Sequence, residues 1–269
     1  MLPKIDVFGF QIQVYGLLTL LGAIAAIIWC MYAVKQRRLD TDLLNDILIY
    51  AGIGALVGGK LLYLIVDIPW LTENAAQFIA DPLSFLQYLT SGFVYYGGFI
   101  GLLCAVWLYS CRHPHVSVSD YLEACMAAIP LFHSFGRIGC FLAGCCYGEP
   151  ANSILAIPVY TQANPTVLVS RYPVQLYEAF FNLMLFLFLA SMSRRRRNGF
   201  AQLGTYLTAY GIFRFLIEFL RGDAIRGVFL LSTSQWISLI LVPIGLWILL
   251  DPSSFKIWLN KIRKGHIRK

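Results

Sequence analysis

The sequence predicts an all-α integral membrane protein of seven transmembrane helices. Three observations carry that reading. Of the 269 residues, 58% are hydrophobic and only 13% are charged. Mean hydropathy is +0.68. Lys and Arg gather in alternate connections between the apolar stretches. A soluble domain is roughly one quarter charged, so a water-soluble globule, a disordered chain and a small disulfide scaffold are excluded. A helix needs about 20 apolar residues to cross the hydrocarbon core. The chain therefore holds about seven crossings with short loops, in a single polytopic domain.

The apolar spans fall at about 12–34, 47–66, 93–110, 121–147, 174–192, 201–220 and 234–250. Lys4 and Asp6 precede the first, which runs too long and lacks a small-residue cleavage site, so no cleavable signal peptide is expected. The fourth is rich in glycine, which permits a break. Span one is followed by Lys35, Arg37 and Arg38, span three by Arg112, and span five by the run Arg194, Arg195, Arg196 and Arg197. The tail 251–269 carries Lys256, Lys261, Arg263, Lys264, Arg268 and Lys269. These segments hold 14 of the 21 Lys and Arg. The opposite connections hold Lys4, Arg171, Arg221 and Arg226, and the loop 67–92 has no Lys or Arg. Basic loops stay in the cytoplasm, which places the N-terminus outside and the C-terminus inside.

Between spans two and three, Trp70, Phe78, Phe85 and Tyr88 stand among few charges and predict amphipathic helices on the outer surface. The proline-bearing stretch 148–173 reads as an irregular outer loop. The arginine run and basic tail set topology and meet anionic headgroups of the membrane lipids; no nucleic-acid partner is expected. Seven cysteines stand at 30, 104, 111, 125, 140, 145 and 146, mostly in apolar stretches where a free thiol packs as a small hydrophobe. Cys145 and Cys146 are adjacent and His133 is the only imidazole near them, so the spacing predicts no metal site and no cofactor.

Lys60, Arg137, Arg214 and Glu218 lie inside spans, and Glu178 near the start of span five. Ionisable groups are costly in hydrocarbon and mark functional sites or buried pairs. By the predicted topology all of them fall in the outer halves of their spans, together with Arg221. Tyr210, Arg214, Glu218 and Arg221 follow i, i+4, i+8, i+11, one polar stripe on an apolar helix in which Arg214 and Glu218 can pair. The carboxylates Glu178 and Glu218 are fewer than the cations Lys60, Arg137, Arg171, Arg214 and Arg221. A positive pocket at headgroup depth suits a phosphate-bearing lipid, because guanidinium forks match phosphate. Two glycine clusters, Gly97-Gly98 with Gly101 and Gly136, Gly139, Gly144 and Gly148, fall at the same depth. They permit close helix approach or exposed backbone around a cavity.

At these residues the chain resembles the prolipoprotein diacylglyceryl transferases. The resemblance rests on Gly136-Arg137-Ile138-Gly139-Cys140-Phe141, on Arg171 through Glu178, and on Tyr210 through Arg221. Val14-Tyr15-Gly16, Gly58-Gly59-Lys60 and Tyr96-Gly97-Gly98 add to it, in order from about residue 12 to 250. The resemblance implies seven helices in the bacterial cytoplasmic (inner) membrane. It implies transfer of the diacylglyceryl group from phosphatidylglycerol to the lipobox cysteine thiol of a preprolipoprotein, with release of glycerol-1-phosphate.

Carried over by motif, Arg137 would hold the lipid phosphate, Arg214 would neutralise the phosphate as it leaves, and Glu218 would orient Arg214. Tyr15, Tyr210 and Glu178 would line the site with Lys60, Gly97, Gly98, His133, Gly136, Cys140, Gly148 and Arg221. The chain departs from the motif in four places. Tyr96 replaces the histidine before Gly-Gly, a candidate general base; Cys140 replaces Asn, Cys145 a Glu, and Lys60 an Arg. Tyr96 is thus the third catalytic candidate beside Arg137 and Arg214, although tyrosine ionises only near pH ~10. His133, one turn before Arg137, is a second candidate base. Leu142-Ala143-Gly144-Cys145 reads like a lipobox but sits deep in a span, a coincidence. Two rival readings keep the same pocket: a paralogue that passes a lipid group to another acceptor, and a phospholipid-binding or transport protein without chemistry.

Overall fold

Long apolar runs become helices because every backbone N–H and C=O must find a partner within the segment where water is absent. The computed structural model describes residues 4–7, 10–74, 81, 83–84, 88, 92, 94–161, 166–194, 200–222, 227–228, 230–255, 257–258 and 261. A hairpin of β1 (Lys4–Val7) and β2 (Phe10–Gln13) leads into helix α1 (Val14–Gln36). Then come α2 (Thr41–Val66), α3 (Ile68–Glu73), α4 (Tyr95–Arg112), α5 (Val118–Cys125) and α6 (Ala128–Ala143). Strands β3 (Ile157–Val159) and β4 (Val169–Arg171) precede α7 (Val174–Arg194) and α8 (Ala201–Ile217). Strands β5 (Gly227–Val228) and β6 (Leu231–Ser232) precede α9 (Thr233–Leu250).

Among the described residues, five stretches are long and apolar enough to cross a membrane: Val14–Gln36, Thr41–Val66, Val174–Ser193, Ala201–Leu220 and Thr233–Leu250. The pair Ser119–Cys125 and Ala128–Ala143, bent by 41°, makes a sixth. The span read at 93–110 falls on α4, whose apolar stretch Ile100–Arg112 is shorter. The fourth span breaks, but not at its glycines. Pro130 has no N–H, and its ring conflicts with the carbonyl four residues back, at Met126. Met126 and Ala127 accordingly leave the helix, while Gly136 and Gly139 lie within continuous α6.

The all-α expectation holds for the long elements, and short strands are added at helix ends. Three antiparallel two-stranded ribbons are present, with Lys4 opposite Gln13, Ile157 opposite Arg171, and Gly227 opposite Ser232. The stretch read as an irregular loop pairs because a backbone that leaves a helix still needs partners. Part of the loop 67–92 is helical, as α3; Phe78 and Phe85 lie outside the described residues, as do Arg195–Arg197 and most of the basic tail.

Contacts divide the chain into two units, residues 40–118 and a larger one built from 1–39 and 119–262. In the first, α2 packs on α4 through small residues. Gly54 and Gly58 face Gly97 and Gly101, two GxxxG faces in contact. A Cβ on Gly58 would strike the Gly97 carbonyl, and one on Gly101 the Gly54 carbonyl. This close approach is the ordinary use of small residues between membrane helices.

In the larger unit, α6 packs on α1 and α7, and α8 packs on α9. Leu185, Leu189 and Met192 of α7 with Ala127 form a buried cluster, covered by Trp29, Phe181, Tyr206 and Tyr210. Arg37, read from sequence only as a topology marker, pairs with buried Glu123 at 3.2 Å and donates to the Ser193 carbonyl at 3.0 Å. It ties the ends of α1 and α7 to α5. Helix α9 starts with a capping box between Ser232 and Gln235.

Gly58→Ala should lower stability by about 1–3 kcal/mol through overpacking, read as a lower unfolding temperature in detergent. Gly52, whose added Cβ would meet nothing within 4 Å, should tolerate the same change or gain slightly.

Candidate functional site

The centre of the larger unit is a carboxylate. Glu178, one turn into α7, is 2% exposed. Its Oε1 receives Arg137 Nη2 at 3.0 Å and the Tyr210 hydroxyl at 3.2 Å, with His133 Nε2 at 3.6 Å. His133 and Arg137 stand four apart on α6 and so share a face; Tyr210 comes from α8. Three groups from two helices thus converge on one oxygen. The His133 and Tyr210 rings lie 5.2 Å apart. Arg137 Nε is buried and has no partner among the described residues. One N–H of a guanidinium held by Glu178 therefore makes no hydrogen bond among the described residues.

A second charged group lies at the end of α8. Arg214 Nη1 meets Glu218 Oε2 at 2.7 Å, the i, i+4 pair expected from the spacing, and Arg214 Nη2 donates to Ser234 Oγ at 2.9 Å. Arg221 Nε stands 4.0 Å from Glu218 Oε2. The stripe does not continue as one helical face. The chain tightens into a 3₁₀ turn at Glu218–Leu220, and Arg221 is extended. Arg221 instead forms an isolated antiparallel bridge with Gly148. Glu149 N–H donates to the Leu220 carbonyl at 2.9 Å and Gly222 N–H to the Tyr147 carbonyl at 3.1 Å. Gly148 must lack a side chain here, because a Cβ would strike the Tyr172 carbonyl and come within 2.9 Å of the Leu220 carbonyl. Arg171 Nη1 donates to the Gly148 carbonyl at 3.1 Å, and the guanidinium covers the Tyr147 ring.

The last turn of α6 shapes the region between these groups. Gly144 is left-handed at φ 76°. Its N–H donates to the Phe141 carbonyl at 3.2 Å, and the Cys145 N–H reaches back to the Cys140 carbonyl at 3.1 Å. This pair of bonds is a Schellman motif, which glycine favours. Gln175 of α7 then donates to the Cys145 carbonyl at 2.8 Å.

Most residues singled out from sequence therefore come together: His133, Arg137, Cys140, Gly148, Glu178, Tyr210, Arg214, Glu218 and Arg221 all belong to this part of the larger unit. Tyr15 joins them, since Gly139 of α6 packs against its ring. Gly136 makes no such contact; a Cβ there would meet nothing within 4 Å.

Lys60, Tyr96, Gly97 and Gly98 belong to the other unit. Lys60 Nζ lies 3.5 Å from the carbonyls of Tyr88 and Gly92 and 4.7 Å from the Tyr63 ring centroid. Tyr88 donates to Asp67 at 3.1 Å. Burial first, then hydrogen bonds to Tyr63 and Asp67, hold its hydroxyl above the ordinary tyrosine range. Gly97 is buried at the α2–α4 contact, and Gly98 is buried beside it. The Tyr96 side chain lies outside the described residues. Sequence reading missed Ser234, an uncharged residue in the first turn of α9 whose link to Arg214 no spacing rule reveals.

Among the described residues, the ion pairs here join Arg137 to Glu178, and Arg214 and Arg221 to Glu218. The fold and this site define a multi-pass membrane protein with arginines and carboxylates paired among its apolar helices. The sequence profile of the family described as Prolipoprotein diacylglyceryl transferase matches residues 4–250.

The chain is similar to phosphatidylglycerol–prolipoprotein diacylglyceryl transferase of Clostridium tetani, 36% identical over 90% of this chain and 94% of the relative. It is 33% identical to the second such transferase of Clostridium perfringens over 88% and 90%, and 30% identical to that of Dechloromonas aromatica over 90% and 94%. The chain belongs to the prolipoprotein diacylglyceryl transferase family.

Removing one partner of a buried pair leaves an uncompensated charge. Glu178→Ala should cost about 3–5 kcal/mol of stability. Combining it with Arg137→Ala should cost less than the sum of the single changes, measured as a double-mutant cycle of unfolding in detergent.

Proposed function

We propose that this chain moves the diacylglyceryl group of phosphatidylglycerol onto the lipobox cysteine thiol of a preprolipoprotein, and releases glycerol-1-phosphate. It does so as a single seven-span domain of the bacterial cytoplasmic membrane, N-terminus outside. The observation that carries the reading is the Glu178-centred cluster. It fixes Arg137 with a buried Nε that has no partner among the described residues, beside a second guanidinium, Arg214, held between Glu218 and Ser234. The names of the full-length relatives supply the substrates.

The chemistry follows from charge. Thiolate is the nucleophile. It attacks a glycerol carbon of the lipid, the C–O bond breaks, and the phosphate leaves with one more negative charge than it had as a diester. Donors already aimed at that charge stabilise the transition state without reorganising. Arg137 binds the phosphate in the ground state. Arg214 meets the charge as it develops, with Glu218 and Ser234 fixing its plane. Tyr15 and Tyr210 line the site, and the lipid tails remain in the bilayer, so the site opens sideways to lipid. Tyr96 and His133 are the candidate bases for the thiol proton.

Removing one such donor costs about 10²–10³ in rate. Arg214→Ala should lower diacylglyceryl transfer by that factor while phosphatidylglycerol still binds, and an unchanged rate would remove Arg214 from the mechanism. Tyr96→Phe should lower transfer if its hydroxyl takes part; an unchanged rate excludes it. For topology, a reporter active only outside the cytoplasm should work when fused after Tyr160 and fail after Arg112. The reverse pattern would invert the orientation.

A further inference from the structure

The sulfurs of Cys140, Cys145 and Cys146 all lie within 4.8 Å of one another. Cys140 is buried, the other two are half-buried, and all three are free thiols. The Schellman turn at Gly144 folds Cys145 back over Cys140. Cys146 is then held at φ 57°, a left-handed conformation that costs a residue other than glycine about 1 kcal/mol or more. The backbone sustains that strain, and three thiols meet although their spacing matches no zinc-ribbon pattern. Tetrahedral zinc with bonds of about 2.3 Å sets its sulfurs about 3.8 Å apart, within reach of small side-chain rotations. A disulfide would use two of the sulfurs and leave the third without a role.

We propose that Cys140, Cys145 and Cys146 form a trithiolate site for a thiophilic divalent cation of the zinc class, its fourth position open to the cysteine thiol of the acceptor. The second half rests on the transferase reading above. Structural zinc sites are closed by four protein ligands, whereas reactive ones keep three and leave one position for water or substrate. Among the described residues the cluster gathers three ligand atoms and no further His, Cys, Asp or Glu atom. It also adjoins the anion site. Cys140 follows Arg137 by three residues on α6, and the Cys145 carbonyl is held by Gln175, three residues before Glu178 on α7.

A coordinated thiol is deprotonated outright, which supplies the nucleophile where the candidate bases are a tyrosine and a histidine already placed against Glu178. The step balances without redox chemistry. The acceptor thiol releases its proton to solvent as its sulfur binds the cation. The S–C bond to the lipid glycerol forms, the C–O bond breaks, and its electron pair leaves on glycerol-1-phosphate. The thioether product, a weaker ligand than thiolate, leaves the cation.

The test uses the full chain, purified anaerobically in detergent. Elemental analysis should find about one zinc per chain. Cys140→Ser, Cys145→Ser and Cys146→Ser should each weaken zinc binding about 10-fold or more, whereas Cys104→Ser, exposed on α4, should not. Because a serine variant could misfold, the unmodified chain loaded with cobalt gives an independent reading. It should show sulfur-to-cobalt charge-transfer absorption, with visible bands that shift on adding a lipobox peptide but not its Cys→Ser analogue.

Absence of zinc binding, or an intact mass showing a disulfide among these cysteines in the active protein, overturns the site. Metal-free protein that transfers at the full rate overturns the catalytic half and leaves the transferase reading standing. Zinc on the cluster, cobalt bands that respond to the thiol and no diacylglyceryl adduct would overturn the transferase reading instead, and support the metal site.

Discussion

A carboxylate buried among apolar helices has to be compensated, and that requirement at Glu178 organises the larger unit. An isolated buried charge costs several kcal/mol even after relaxation. Glu178 meets this cost by drawing Arg137 and His133 from α6 and Tyr210 from α8 onto one oxygen. The same contacts fix how α6, α7 and α8 stand to one another. Arg137 is in turn pinned at a place where hydrocarbon helices alone would not hold it. Structure and candidate site are therefore one arrangement: the Arg137 guanidinium is held there because the Glu178 carboxylate is.

The chemistry-bearing groups cluster where helices end. Pro130 breaks the fourth apolar stretch and sets the start of α6, so that His133 and Arg137 fall in its second and third turns. Gly144 closes α6 and folds Cys145 over Cys140. The 3₁₀ turn at Glu218 closes α8 and lets Arg221 pair with Gly148 as strand instead of helix. Backbone that leaves a helix finds partners in the same unit: Glu149 pairs with Leu220 and Gly222 with Tyr147, and Arg171 caps the Gly148 carbonyl. Such irregular backbone is tolerated only where protein surrounds it.

How much was legible in the sequence depended on the kind of signal. Apolar length gave the helices, and the i, i+4 rule gave the Arg214–Glu218 pair directly. Charge in an apolar span singled out Arg137, Glu178, Arg214 and Glu218, because lipid makes such residues expensive whatever their neighbours. The arrangement around Glu178 was not legible, since Tyr210 and His133 reach it across helices and spacing rules act only within one. The stripe to Arg221 failed because a periodic pattern carries no mark of where a helix stops. Gly97 and Gly101 read equally as close helix approach or as exposed backbone around a cavity, and only the structure shows their backbone contact with Gly54 and Gly58. The thiol cluster was invisible for a related reason. Adjacent Cys145 and Cys146 look unsuited to a shared ligand until two left-handed residues, Gly144 and Cys146, bend the chain.

The account rests on one reaction at a thiol. Its most direct test places the purified chain in phosphatidylglycerol vesicles with a peptide bearing a lipobox cysteine and reads the products by mass spectrometry. The account predicts a diacylglyceryl thioether on the peptide and free glycerol phosphate, with no adduct on the serine analogue and none with Arg137→Ala. Folded protein that binds phosphatidylglycerol yet leaves the cysteine peptide unmodified would contradict it.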